Sequence, residues 1–254
     1  MTVLRGSPAP ALLTAGLNSI QVRSLDEAGN YSSPVNVQVN YVVPPPTNDF
    51  FVNALSLTST QGVATGFNTN ATKEVGEPNH AGNQGGKSLW WSFQPPEDGV
   101  LTLSTTNSTF DTLLALYTGA TVSTLALVAD NDDAYIGTPG GFSQIVHAVR
   151  PNQTYHIAVD GYDGLSGRIS LSHDFVHARL YRLTVNTTSG GVTDLSPSTM
   201  DAASNSTVVV TATAAPLYEF AGWTGSFTAT ANPLSVVVNS NISLTANFQP
   251  IVFS

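Results

Sequence analysis

The sequence predicts an all-β protein in which a β-sandwich is flanked by a β-hairpin and a small β module. Many short segments alternate apolar and polar residues with the period of two that is typical of a half-buried strand. Clusters of Gly, Pro, Asn and Asp separate these segments at the spacing expected of a sandwich. Only residues 49–58 suggest a helical turn.

Residues 1–43 form the first predicted segment. Residues 17–24 and 35–41 alternate as strands do, and residues 26–30 supply a turn between them. The stretch 16–32 resembles the last strands of bacterial Ig-like modules, which need about 100 residues. We therefore expect a partial Ig-like segment whose other half lies upstream, and which frays, pairs through its open edge or docks on the next domain.

The second predicted domain covers residues 48–175 and follows a Pro-rich linker at residues 44–47. Three consecutive prolines at 44–46 give a stiff, extended spacer that cannot donate ladder hydrogen bonds. The predicted strands of the domain are residues 88–93, 100–105, 112–117, 125–129, 143–149, 154–160 and 168–172.

Six sequence blocks in this domain carry a resemblance to a known family. They are Asn48–Ala54, Gly76–Gly82, Ser88–Phe93, Phe110–Gly119, Asn131–Asp133 and Tyr155–Gly161. In this order they resemble a bacterial pre-peptidase C-terminal domain. The resemblance implies a non-catalytic, jelly-roll-like sandwich appended to secreted proteases and other large surface proteins, with some relatives binding calcium, collagen or polysaccharide. Residues 85–88 depart from the family, whose best-known members carry an Asp-rich strand start there.

The third predicted domain covers residues 178–249. Its strands are predicted at residues 181–185, 207–213 and 242–248, and Trp223 is expected to anchor its small core. The order of these segments and the closing pattern Ala246-Asn247-Phe248 resemble one divergent internalin-type B repeat. Such repeats are small β modules of bacterial surface proteins, where they serve as spacers or adhesion units.

The charge balance excludes several classes of partner. Lys and Arg together number 8, against 17 Asp and Glu, for a net charge of −9. Binding to nucleic acid or to an anionic membrane needs a basic patch, so neither partner is expected. No apolar run approaches the roughly 20 residues that span a bilayer. The hydroxyl-rich composition suggests an extracellular or cell-surface location, as part of a longer secreted polypeptide whose remainder is a partner.

No pattern of catalytic residues emerges from the sequence. Cysteine is absent, and neither a Gly-x-Ser-x-Gly elbow nor a His-Glu-x-x-His zinc motif occurs. Glu74 with Glu77, or Asp160 with Asp163, could be named as a glycosidase pair, but both pairs lie in turn-like sequence typical of solvated acids. The chain is therefore predicted not to be an enzyme.

An acidic cluster at residues 130–133 is the one predicted cofactor site. Carboxylates this close repel one another unless a cation lies among them, and Ca²⁺ selects oxygen ligands. The candidate ligands are Asp130, Asp132 and Asp133, with Asp111 and Asp49 from other segments. The alternative is that these side chains only cap the end of a strand.

Adjacent tryptophans suggest a binding surface. Trp90 and Trp91 follow one another in a predicted strand, so their side chains point to opposite faces. An exposed indole, with Tyr135 or Tyr162 beside it, would suit a sugar ring or a partner protein. The alternative is that the loop 68–87 or a neighbouring domain covers the outer ring.

The sequence as a whole favours a non-catalytic accessory region of a large secreted or surface bacterial protein. We expect it to act in adhesion, spacing or substrate targeting, with a polysaccharide or an extracellular protein as a possible ligand. The two alternatives are a carbohydrate-binding module and a hydrolase with an unrecognised site.

Overall fold

The computed structural model describes residues 13–134, 141–195 and 198–252, and almost all of its regular structure is β. The all-β prediction is confirmed. Short 3-10 helices occur at Phe51–Asn53, Val122–Thr124 and Tyr162–Gly164, and the first lies inside the predicted helical turn at 49–58. None of the helices in the described part of the chain is long and apolar enough to cross a membrane.

The chain divides into two compact units, Met1–Pro45 and Pro46–Ser254, so the division falls within the Pro-rich segment. In the first unit, strands β1 (Gly16–Val22) and β2 (Val35–Tyr41) pair antiparallel. Asp26 closes the turn by accepting hydrogen bonds from the backbone and side-chain nitrogens of Asn30, at 2.8 and 3.0 Å.

The second unit begins with a sandwich of nine strands in its described residues. They are β3 (Leu55–Leu57), β4 (Gln61–Phe67), β5 (Leu89–Phe93), β6 (Gly99–Ser104), β7 (Thr112–Thr118), β8 (Ala126–Asn131), β9 (Gln144–Val149), β10 (Tyr155–Gly161) and β11 (Arg168–His177). One sheet has the order β3-β5-β10-β7-β8 and the other β4-β11-β6-β9. Neighbouring strands are antiparallel except β3 and β5, which run parallel.

The sandwich has a main core between its sheets and a second, smaller apolar layer. Trp91, Leu114 and Ile157 are buried in the main core. The next residue of β5, Trp90, belongs instead to a cluster with Phe51 and Tyr117. The three central strands of this sheet, β5, β10 and β7, are therefore buried on both faces, which explains why β5 reads as an almost continuous apolar run.

A second β module completes this unit. Its strands are β12 (Leu180–Thr187), β13 (Gly191–Thr193), β14 (Thr199–Ala203), β15 (Ser206–Val210), β16 (Ala212–Ala214), β17 (Tyr218–Gly225), β18 (Leu234–Val238) and β19 (Ile242–Pro250). The order β14-β12-β19-β17 forms a four-stranded sheet in which β12 and β19 run parallel, and β13–β16 and β15–β18 form two-stranded ribbons. Trp223 is buried in its core, and its indole nitrogen donates to the carbonyl oxygen of Ala231 at 2.9 Å.

The two modules of this unit meet at a short junction. β11 ends at His177 and β12 begins at Leu180. Arg150, which directly follows β9 of the sandwich, forms an ion pair with Asp201 on β14 of the second module. The backbone nitrogen of Ala178 also donates to the carbonyl oxygen of Asp98 at 3.2 Å.

Candidate cation site

Three carboxylates from two segments of the chain converge at one end of the five-stranded sheet. β7 and β8 are antiparallel, with Leu114 opposite Asn131. The start of β7 therefore lies beside the end of β8. Asp111 directly precedes β7, while Asp132 and Asp133 directly follow β8, and their carboxylate oxygens lie within 4.8 Å of one another.

The electrostatics of this cluster favour a cation. The Oδ1 atoms of Asp111 and Asp132 are buried and have no hydrogen-bond partner among the described residues. Burial, and then the charge of Asp133, raises the pKa of Asp111. Burial also raises the pKa of Asp132, with further contributions from Asp111, Asp133 and Asp163. No ion pair among the described residues involves the three clustered acids.

The backbone around the cluster is held by hydrogen bonds. The Ser143 hydroxyl lies 2.7 Å from the carbonyl oxygen of Asp132. The Asn131 side chain donates to the carbonyl oxygen of Asp133 at 3.1 Å, and the nitrogen of Tyr162 donates to that of Asp111 at 3.0 Å. The three carboxylates are thus supplied by a fixed frame and are a donor set that suits Ca²⁺.

The structure places the other two predicted ligands elsewhere, which corrects the predicted set of five to three. Asp49 is buried and accepts hydrogen bonds from the backbone nitrogen and hydroxyl of Thr72, at 2.6 and 3.0 Å. It therefore braces the start of the long loop. Asp130 is exposed on β8, opposite Ala115 of β7. Both side chains lie outside the cluster.

A second polar cluster is fully buried, although sequence reasoning treated its acid, Glu77, as solvated. His80 Nε2 lies 3.0 Å from Glu77 Oε1, and His80 Nδ1 lies 2.8 Å from the Tyr117 hydroxyl. Ser88 donates to Glu77 Oε1 at 2.5 Å, and the nitrogen of Glu74 donates to Glu77 Oε2 at 2.9 Å. Since every member has a partner, the network fastens the loop 68–87 onto the sheet.

Asp160 lies beside this network and is held by backbone nitrogens. It accepts hydrogen bonds from Gly86, Lys87 and Gly161 at 2.7 to 2.9 Å. A Cβ on Gly85 would lie 1.9 Å from Asp160 Oδ2, and Gly85 has a φ of +53°. The segment 85–88, where an Asp-rich stretch was expected from the resemblance, therefore contributes amide donors and close approach in place of oxygen ligands.

Both adjacent tryptophans are buried, so the expectation of an exposed indole is wrong. Trp91 packs between the sheets, and Trp90 is covered on the other face by Phe51 and His80, with ring centroids 5.3 and 5.6 Å away. His80 belongs to the loop that the sequence offered as the alternative cover. Tyr162 is 38% exposed, whereas Tyr135 lies outside the described residues.

The clefts in the described part of the second unit include two shallow ones. The first, of about 490 Å³, is lined by Ser56, Leu57, Thr58, Ser59, Thr60, Ser92, Phe93, Gln94, Pro96 and Thr154. The second, also of about 490 Å³, is lined by Ala221, Gly222, Trp223, Thr224, Thr228, Ala229, Thr230 and Asn247. Neither lining contains an ionisable side chain.

Comparison with known proteins bears on the last module. Residues 181–252 match the family model described as the divergent InlB B-repeat domain. No curated protein matches the chain. The matched range runs from the second residue of β12 to beyond the end of β19. The module formed by β12–β19 is therefore similar to a repeat of the type typical of bacterial surface proteins.

Proposed function

We propose that this chain is a non-catalytic accessory region of a bacterial surface protein and that it acts as a rigid spacer. The observation that carries the proposal is the junction between the sandwich and the repeat module. A two-residue connection and a charged contact join them, and both modules belong to one compact unit. A spacer needs such a fixed joint, because a flexible one would not keep a distance.

The side chains at this junction form a network in which positive and negative charges alternate. Arg150 lies between Asp98 of the sandwich and Asp201 of the repeat, and Arg182 approaches the same Asp201 carboxylate at 3.3 Å. The Arg150 guanidinium lowers the pKa of Asp201, and Arg182 acts in the same direction. Networks of several charges stabilise more than isolated surface pairs do.

The neutral clefts favour this proposal over a hydrolase. Hydrolytic chemistry on a sugar or a peptide needs a pair of carboxylates or an activated nucleophile with its base. The two described clefts are lined by hydroxyl, amide and apolar groups. The resemblance of the sandwich to pre-peptidase C-terminal domains, and the repeat beside it, support an extracellular accessory role.

Calcium at Asp111, Asp132 and Asp133 belongs to the same proposal. The bound ion would offset the negative charge of the three carboxylates and would be coordinated by the two carboxylate oxygens that have no hydrogen-bond partner among the described residues. It would tie the start of β7 to the end of β8 and so stiffen that end of the sandwich. The role proposed for the ion is structural, because it would join two backbone segments that already pair in one sheet.

A distance measurement between two spin labels tests the spacer. The chain has no cysteine, so Leu127→Cys on the sandwich and Val237→Cys on the repeat would be the labelled sites, and both residues are more than half exposed. We expect one narrow distance distribution that Arg150→Ala broadens. Arg168→Ala, which removes a hydrogen bond inside the sandwich, is the control and should leave the width unchanged. A broad distance distribution in the labelled protein that retains Arg150 would refute the proposal. Turnover of a polysaccharide, peptide or ester substrate would also refute it.

A further inference from the structure

Strand β4 forms an open edge of the sandwich. It is the first strand of the sheet β4-β11-β6-β9, and β11 is the one described element with which it makes extensive contact. The opposite edge differs, because β9 contacts both β8 and β14 of the repeat module. Within the sandwich, β4 pairs with β11 on one side, and its other side, seven residues long, pairs with no other described strand.

The register shows which main-chain groups of β4 are free. The nitrogen of Asn68 donates to the carbonyl oxygen of Gly167, and that of Phe175 donates to Thr60. Hydrogen-bonded pairs alternate along an antiparallel ladder, so the even-numbered residues of β4 bond to β11. The amide and carbonyl groups of the odd-numbered residues, Val63, Thr65 and Phe67, therefore point away from the sheet.

Nothing in the sequence of β4 protects this edge. Natural edge strands are blunted by charges, prolines or bulges, since an unprotected edge pairs with other strands. Gln61–Phe67 contains no charged residue and no proline, and its register with β11 is continuous. Val63 and Phe67 are 63% and 64% exposed.

We propose that β4 pairs antiparallel with β4 of a second copy of this chain, about a two-fold axis at Thr65. In this register Thr65 lies opposite its equivalent, and Val63 of each copy lies opposite Phe67 of the other. All three positions carry outward-pointing main-chain groups, so each of these opposed pairs exchanges hydrogen bonds. Thr–Thr and aromatic–β-branched pairs are among the favourable cross-strand combinations.

The strand is self-complementary in two further respects. Its even-numbered positions are Gly62, Ala64 and Gly66; Ala64 packs on the sandwich core and a Cβ on Gly66 would lie 2.7 Å from Leu89 Cδ1, so the exposed side chains that a partner strand would meet are those of the odd-numbered positions. The absence of charge removes local like-charge repulsion, which matters in a chain of net charge −9. Pairing joins the two four-stranded sheets into one of eight strands.

The contact is small, so its affinity is expected to be low. A single strand edge buries less than the roughly 1,200 Å² of a stable interface, and such a dimer forms at high local concentration. On a crowded surface many weak contacts act together. This inference concerns association between copies and goes beyond the spacer function.

Sedimentation over a range of concentrations tests the pairing. We expect the mass to rise from 26.6 kDa toward twice that value at concentrations of several hundred micromolar, which suits an interface of this size. Thr65→Lys, which sets two like charges opposite each other, should abolish the rise. Val146→Lys on β9, a position that is 64% exposed, should not. A mass that stays constant, or dimerisation that survives Thr65→Lys, would overturn the proposal.

Disulfide cross-linking gives a second test that does not depend on a charged substitution. Paired β residues have Cα atoms about 4.5–5.5 Å apart, within the range that a disulfide bridges. Thr65→Cys should form a covalent dimer under mild oxidation, at a rate at least about tenfold above that of Val146→Cys. Equal rates for the two variants would mean that β4 is not the contact, whichever other surface associates.

Discussion

Arg150 and Asp201 form a bidentate ion pair across the junction of the sandwich and the repeat module. Arg150 Nε lies 2.5 Å from Asp201 Oδ2, and Nη2 lies 2.8 Å from Oδ1. The backbone nitrogen of Arg150 also donates to the Tyr155 hydroxyl at 3.1 Å, so the base of this side chain is anchored in the sandwich. The planar guanidinium fixes direction as well as distance.

Replacing Arg150 should weaken the joint more than the modules. Its side chain is 38% exposed and that of Asp201 17%, so we expect Arg150→Ala to cost about 1 kcal/mol. That corresponds to about 2–4 °C in melting temperature for a protein of this size. Calorimetry should show one transition in the parent protein and a broader or split one in the variant. Arg168→Ala should leave the single transition intact, and the idea fails if both variants behave alike.

The joint should also loosen in acid. The Arg150 guanidinium, followed by Arg182, lowers the pKa of Asp201 below its ordinary 3.8. An acid whose pKa is lowered by folding stabilises the folded state above its ordinary value and loses that contribution as the pH falls through the lowered value. The distance distribution between labels at positions 127 and 237 should stay narrow at pH 5 and broaden below about pH 3.8. Broadening near pH 6 would point to a different group.

Calcium should stabilise the sandwich through Asp132. At 100 times its dissociation constant, a ligand adds about 2.7 kcal/mol, or roughly 5–10 °C here. We expect Ca²⁺ to raise the melting temperature by this order, EDTA to reverse the rise, and Asp132→Asn to remove the response. Asp130→Asn, an exposed neighbour outside the cluster, is the matched control. No change across millimolar Ca²⁺ would eliminate the calcium site.

The same cluster predicts an opposite pH dependence when calcium is absent. The pKa of Asp132 is raised in the folded state, so the folded protein holds this proton more tightly than the unfolded one. Its stability therefore falls as the pH rises from the ordinary value of 3.8 through the raised one. In EDTA at pH 7, Asp132→Asn should melt a few degrees higher than the parent. A lower melting temperature of the variant would show that the charged carboxylate of Asp132 does not destabilise the folded protein.

The buried network around Glu77 should be sensitive to substitution. Glu77→Ala leaves His80, Ser88 and the nitrogen of Glu74 without their acceptor. Each unsatisfied buried group costs about 1–3 kcal/mol, so a loss of at least about 3 kcal/mol is expected in urea unfolding. Glu97→Ala, at a side chain that is 55% exposed, should change stability by less than about 0.5 kcal/mol. Similar losses in both variants would contradict a structural role for the network.

Substitution of two glycines with positive φ should distinguish the cost of a steric clash from the cost of backbone strain. Gly85 and Gly82 have φ of +53° and +75°, but only at Gly85 would a Cβ collide, 1.9 Å from Asp160 Oδ2. Gly82→Ala should cost about 1 kcal/mol, the usual penalty of this conformation. Gly85→Ala should cost clearly more, since it also displaces Asp160 from its amide donors. Equal losses would mean that the loop simply moves aside.

Local patterns predicted the strands well where one face is polar. The alternation in β1 and β2 placed both strands within two residues, because a side-chain period of two is visible in the sequence itself. It was less successful in the repeat, where the single strand predicted at 207–213 is divided between β15 and β16. Short strands such as β3 carry too few residues to show any period.

Contacts between distant segments were beyond the reach of these patterns. Arg150 and Asp201 are 51 residues apart and belong to different modules. Trp90 is buried because Phe51 and His80 cover the outer face of the sheet; the apolar run of β5 is consistent with a second layer, but it does not show which residues form that layer. For the cation site, five acidic residues of the sequence were candidate ligands. Only the antiparallel pairing of β7 with β8 shows which three of them lie together.

The parallel pairing of β12 with β19 determines where the chain enters and where it leaves the repeat module. Since the first and last strands run the same way, the polypeptide enters the module at one end of the sheet and leaves at the other. In the register that places Leu183 opposite Ile242, the end of β19 at Pro250 lies about eleven residues beyond Leu180 along the sheet, so each such module advances the chain by roughly 36 Å. Duplicating the segment would therefore lengthen the protein by one module at a time without reversing the direction of the chain.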